Sequence, residues 1–298
     1  MIRLAVRVRR EQAELVLAEL LELAPAGVEE VEVGADTIEY AVYGAPGELP
    51  TLPDLNAAAG DALVEISTSE TADDWQDRWK RFHRPVLIEA PTARVGDEPR
   101  VPALFVRPPW EAPSARRDAE VQEIVIDPGQ AFGTGAHAST RLCLELLLLL
   151  AALERPAGPL LDIGTGSGVL AIAAARLGFT PVLGLDHERE SVEAASKNAT
   201  ANGVSIEVRR FDLRRQALPW MEVADAPSTS TVLVANLLLP LLHELARTMP
   251  RAPAHLLAGG LLVEEVEEVA SAFGQRLGLR VRERRQSAGW AAVWLSAA

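Results

Sequence analysis

The chain has 298 residues, 48% of them hydrophobic and 24% charged. That is enough apolar material for a large core and about two domains. Its formal charge is -13, from 29 Lys plus Arg against 42 Asp plus Glu, which argues against a surface that grips nucleic acid throughout and suits a basic partner better. The single cysteine, Cys143, excludes an intrachain disulfide and a multi-cysteine metal site. No two of the five histidines have the i, i+4 spacing of a helical zinc site. No metal is expected.

Ile2 to Val8 alternates apolar and polar residues, the period of a half-buried strand. Glu11 to Leu23 has apolar residues at helical spacing. Val28 to Val33 and Ile38 to Tyr43 read as strands around a turn at Gly34-Ala35-Asp36. Pro53 to Gly60 is a short helix and Leu63 to Ile66 a fourth strand. The order β-α-β-β-α-β predicts a small ferredoxin-like α+β domain over 1–68. A linker helix over 69–83 follows, with Trp75 and Trp79 on one side. Packing at a domain boundary and direct substrate contact both fit these two rings.

Val86 to Ile88, Leu104 to Val106 and Ile124 to Ile126 are short strands among prolines. After Ser139 comes a long helix. Leu142 to Leu153 within it is very apolar, but Glu145 interrupts it and it is too short to span a bilayer. With no leader pattern at Met1-Ile2-Arg3-Leu4, a soluble cytoplasmic protein is expected.

From Leu160 onward strands and helices alternate, which predicts a doubly wound α/β sheet over 84–298. The strands are Leu160 to Ile163, Val182 to Leu185, Ile206 to Val208, Thr231 to Val234 and Ala254 to Leu257. The helices are Gly168 to Leu177, Glu190 to Asn202, Leu238 to Met249 and Glu264 to Leu277. Leu279 to Arg284 and Trp290 to Leu295 lack a helix between them, so an antiparallel hairpin should close one edge. Ala224 to Ser230 is a polar insertion.

Three segments carry chemistry. Asp162-Ile163-Gly164-Thr165-Gly166-Ser167-Gly168 follows an apolar strand and opens a helix. Its glycines permit a tight turn and a close backbone approach to a ligand. Asp186 ends the next strand, where a carboxylate with two acceptor oxygens can take both hydroxyls of a ribose. Ile126 to Thr140 is dense in glycine and small hydroxyl residues. Its Ser139 can cap the long helix or meet a ligand. A lone His137 is more often a structural hydrogen-bonder than a base. Asn236 stands directly after a buried strand, at the carboxyl edge where ligands bind in α/β folds. An Asx turn or a cap would also account for it.

The Asp162 turn with Asp186 resembles class I S-adenosylmethionine-dependent methyltransferases. Phe132-Gly133-Thr134-Gly135-x-His137, that turn and the Asn236 edge together resemble the PrmA family, the ribosomal protein L11 methyltransferases. Trp75 to Phe82, Val106-Arg107-Pro108-Pro109-Trp110, Gly259-Gly260-Leu261-Leu262 and Trp290 add to the likeness. The resemblance implies methylation of lysine side chains and the N-terminal α-amine of ribosomal protein L11, with S-adenosylmethionine as donor. It implies that the N-terminal domain recognises the substrate. It places Phe132, Thr134, Ser139, Asp162, Gly164, Gly166, Asp186, His187 and Asn236 around the donor, with Asn236 also catalytic. No nucleic acid, membrane or second copy is required.

The chain departs from the family pattern at Ser139-Thr140, where two threonines are usual. It departs again at Asp186-His187-Glu188-Arg189, where Asp-x-Asp-Pro is usual. A methyltransferase for another protein or a small molecule is the alternative reading. Glutamine enzymes carry Asn-Pro-Pro-Tyr at the edge held here by Asn236-Leu237-Leu238-Leu239.

Overall fold

The computed structural model describes residues 2–24, 28–34, 36–44, 49–70, 83–91, 101–116, 121–128, 133, 135, 137–154, 158–219 and 231–297. These fall into two units, 1–82 and 83–298.

In the first unit the strands are β1 (Ile2–Arg9), β2 (Glu29–Glu32), β3 (Thr37–Gly44) and β4 (Leu63–Glu70). They form one sheet in the order β2-β3-β1-β4, antiparallel at every pairing. With α1 (Ala13–Leu23) and α2 (Leu52–Ala59) this is the expected ferredoxin-like arrangement. The period of two puts Leu4, Val6 and Val8 on one face, buried with Val16 and Leu20 of α1 and Leu55 of α2. Thr51 starts α2 through a reciprocal cap. Its hydroxyl accepts from Asp54 N, and the Asp54 carboxylate accepts from Thr51 N at 3.1 Å. β4 runs four residues past the expected Ile66 because β1 pairs with it as far as Glu70. The expected linker helix lies almost wholly on 71–82, outside the described residues.

The second unit opens with β5 (Val86–Ile88), β6 (Ala103–Arg107) and β7 (Val121–Val125), a small mixed sheet. The last of these begins three residues before the expected Ile124. The main sheet has seven strands: β8 (Leu160–Ile163), β9 (Val182–Asp186), β10 (Glu207–Arg210), β11 (Val232–Asn236), β12 (His255–Leu262), β13 (Arg280–Ser287) and β14 (Trp290–Ser296). Their order is β10-β9-β8-β11-β12-β14-β13. The first five run parallel, and the β13–β14 hairpin closes one edge antiparallel, as expected.

Alternate residues feed two cores. Leu160, Val232, Val234 and Leu257 pack with α3 (Ala138–Glu154), α4 (Val169–Arg176) and Ala199 of α5 (Arg189–Ala201). Leu161, Ile163, Leu233 and Ala235 pack with α6 (Leu239–Thr248) and α7 (Val266–Leu277). Helices on both faces bury the central strands, and β8 and β9 are buried at every residue and β11 at all but its last. Burying a leucine fully contributes about 1.5–3 kcal/mol. α3 buries Leu142, Leu144, Leu146, Leu147, Leu148 and Leu150, so the apolar run of the sequence is a core helix. Among the described residues no helix is long and apolar enough to cross a membrane.

Candidate functional site at the switch point of the sheet

The strand order reverses between β8 and β11, and ligands bind outside the carboxyl ends of strands at such a point. The register pairs Ile163 with Ala235, so Gly164 and Asn236 leave the sheet side by side. Asp186 ends β9 at the same edge.

The glycine turn is built on Asp162, which is wholly buried. Its Oδ2 accepts from Thr165 Oγ1 at 2.7 Å and from Ala171 N at 3.1 Å. Its Oδ1 is buried with no hydrogen-bond partner among the described residues. Burial raises its pKa to about 7; the two hydrogen bonds oppose the rise and the Asp186 charge adds to it. Gly164 has φ +73, and a Cβ there would stand 2.4 Å from Leu237 Cδ2. The turn thus needs glycine for its backbone, and the Leu237 side chain packs directly against it.

Asp186 holds the turn from the neighbouring strand. Its Oδ2 accepts from Gly166 N at 2.9 Å and its Oδ1 from Glu188 N at 3.1 Å. Each oxygen keeps a lone pair for a ligand hydroxyl. His187 Nδ1 lies 3.5 Å from Asp186 Oδ1, on a largely exposed ring.

Asn236 Nδ2 donates to Thr140 Oγ1 at 3.2 Å, which ties β11 to the first turn of α3. Its Oδ1 is buried and has no partner among the described residues. Gly259, opposite it in register, leaves room for this arrangement. A Cβ there would meet Cys143 Sγ at 2.3 Å and Asn236 Oδ1 at 3.2 Å. Cys143 is a core residue, and burial pushes its thiol pKa up.

A family model described as ribosomal protein L11 methyltransferase (PrmA) matches residues 51–297. The chain belongs to that family. It is 34% identical to the ribosomal protein L11 methyltransferase of Geotalea uraniireducens over 74% of this chain and 67% of that one. With the Geobacter sulfurreducens protein of the same name it shares 35% identity, over 81% of this chain and 73% of that one. A crystal structure of the ribosomal protein L11 methylase from Lactobacillus delbrueckii subsp. bulgaricus is similar at a TM-score of 0.52 and 26% identity. That match covers 65% of this chain and 93% of the other.

Of the residues expected around a donor in this methyltransferase family, the fold brings together Ser139, Asp162, Gly164, Gly166, Asp186, His187 and Asn236. Phe132 and Thr134 lie outside the described residues, as does the Ala224–Ser230 insertion. One expectation is corrected. Ser139 does not occupy the N-cap of the long helix, because α3 begins one residue earlier, at Ala138. His137 takes the cap position. Its carbonyl accepts from Arg141 N at 3.0 Å and its Nδ1 accepts from Ser139 N at 3.3 Å. The Ser139 hydroxyl, 2.8 Å from the same Nδ1, donates to it and keeps its lone pairs. The departure at Asp186-His187-Glu188-Arg189 leaves the turn intact, because it is the Glu188 main-chain N–H that Asp186 accepts from.

Sequence reasoning missed the Thr140–Asn236 bond and the contact of His137 with Trp290. The two rings meet edge to face, with centroids 4.8 Å apart. Trp290 opens β14 and returns to the sheet edge only because that strand runs antiparallel to β12.

Proposed function

We propose that this chain transfers methyl groups from S-adenosylmethionine to amines of ribosomal protein L11, on lysine side chains and the N-terminal α-amine. The residues present fit such a donor. The glycine turn offers close backbone approach, and Asp186 keeps an acceptor on each oxygen for two ribose hydroxyls. Ser139 offers lone pairs to a cationic amine. S-adenosylmethionine, when bound, supplies an electrophilic methyl group on a sulfonium.

The observation that carries the reading is Asn236. Its buried Oδ1, without a partner among the described residues, stands beside the glycine turn at the switch point. An attacking amine must be neutral, yet free lysine has a pKa of about 10.4. An apolar, water-poor setting disfavours the charged form. Asn236 Oδ1 would then accept a hydrogen from the amine and aim its lone pair, so positioning and desolvation do the work without a strong base.

The decisive experiment is mass spectrometry of purified ribosomal protein L11 after incubation with the chain and S-adenosylmethionine. Mass gains in methyl units are expected on lysines or the N-terminus. No gain, with the donor still bound, would move the substrate to another protein or a small molecule. Replacing Asn236→Ala should lower kcat about a hundredfold and change donor affinity far less. Unchanged turnover would reduce Asn236 to a structural tie for Thr140.

A further inference from the structure

Two buried asparagines stand one helical turn apart, Asn198 within α5 and Asn202 at its C-cap. Asn202 Oδ1 accepts from Val125 N at 2.8 Å and its Nδ2 donates to Val125 O at 2.7 Å. Asn198 does the same two residues on. Its Oδ1 accepts from Asp127 N at 3.0 Å and its Nδ2 donates to Asp127 O at 3.2 Å. The match is geometric. Four helical residues rise about 6 Å, and two extended residues about 6.6 Å. The helix therefore offers the chain leaving β7 a ladder made of side-chain amides.

The two rungs differ in reach. Besides Val125, the Asn202 amide donates, among the described residues, only to Asn198 O one turn back in α5. Asn198 Nδ2 donates also to Ser167 O, 2.8 Å away in the glycine turn. Ser167 Oγ in turn donates to Gly133 O. A single buried amide thus bonds both the glycine turn and Asp127.

We infer that Asn198 is a positioning residue for methyl-donor binding, fixing the spacing between the glycine turn and the main chain at Asp127 and Gly133. Asn202 anchors β7 and has no part in the donor site. The inference rests on the donor assignment made above.

The test is calorimetric binding of S-adenosylhomocysteine to the full chain and to Asn198→Ala, Asn202→Ala and Ser167→Ala, with Tm measured for each. Asn198→Ala should weaken binding at least about tenfold, because small misplacements at a preorganised site are costly. Asn202→Ala should lower Tm comparably and leave the affinity within about threefold. Ser167→Ala removes only the bond to Gly133 and should weaken binding while preserving the fold. It keeps the question answerable if Asn198→Ala fails to fold. Wild-type affinity in Asn198→Ala, or in Ser167→Ala where the former does not fold, overturns the inference. So does an equal loss in Asn202→Ala, which marks a general loosening. Failure of the wild-type chain to bind S-adenosylhomocysteine overturns the donor assignment itself.

Discussion

Among the described residues, Asp162 carries two hydrogen bonds on one oxygen and none on the other, deep under the glycine turn. Its pKa of about 7 has a consequence for stability. Unfolded, the group ionises near its ordinary value of about 3.9. Between about pH 4 and pH 7 folding therefore takes up a proton, and stability falls as pH rises through that window. Asp162→Asn keeps an acceptor for Thr165 and Ala171 and removes the titration. The variant should gain Tm relative to wild type as pH is raised from about 5 to about 8, and a constant difference would refute the assignment. Gly260 tests a second feature. Its φ is +76, and a Cβ would fall 2.6 Å from the carbonyl oxygen of Leu237, beside Asn236. Gly278 has nearly the same φ, +70, with open space around it. Gly278→Ala should cost about 1 kcal/mol, the strain of a left-handed alanine. Gly260→Ala should cost at least about 2 kcal/mol and lower turnover as well, because the main chain of Leu237 must shift. Paired denaturation curves separate the two.

α3 links the functional edge to the core. Six of its leucines, from Leu142 to Leu150, are sealed in the core, and its first turn holds Ser139 and Thr140 at the site. His137 fixes where that turn begins. Losing the cap in His137→Ala should cost about 1 kcal/mol. Burial lowers the pKa of His137, the opposite sense to Asp162. The neutral ring contributes fully above about pH 6.5 and the contribution is lost as pH falls through the lowered value. The Tm gap between wild type and His137→Ala should therefore be widest near pH 7.5 and close towards pH 5. A gap independent of pH would mean that Nδ1 is not the acceptor.

The whole chain divides its labour if the first unit recognises the protein substrate. Residues 83–298 contain both large cores and every described residue of the proposed donor site. Expressed alone, this part should bind S-adenosylhomocysteine about as the full chain does and methylate ribosomal protein L11 far more slowly. Full activity of the fragment in the mass-spectrometric assay would remove the recognition role from residues 1–82.

Much of this was legible in residue order alone. Alternation of period two and of period 3.6 marked nearly every strand and helix, because each element must bury one face. The glycine turn, Asp186 and Asn236 were legible because their chemistry is local: a turn that needs φ > 0 and polar residues that end apolar strands. For Ser139 the sequence left a cap and a ligand contact both open, since serine at a helix start is a common cap and nothing local reveals that the histidine ring folds back. The Asn198 and Asn202 pair looks like a solvated helix face until the β7 segment is laid against it. Gly259, Thr140 and Trp290 lie far from Asn236 or His137 along the chain. Only the tertiary structure could join them, because strand order and an antiparallel return set those neighbours and sequence separation does not.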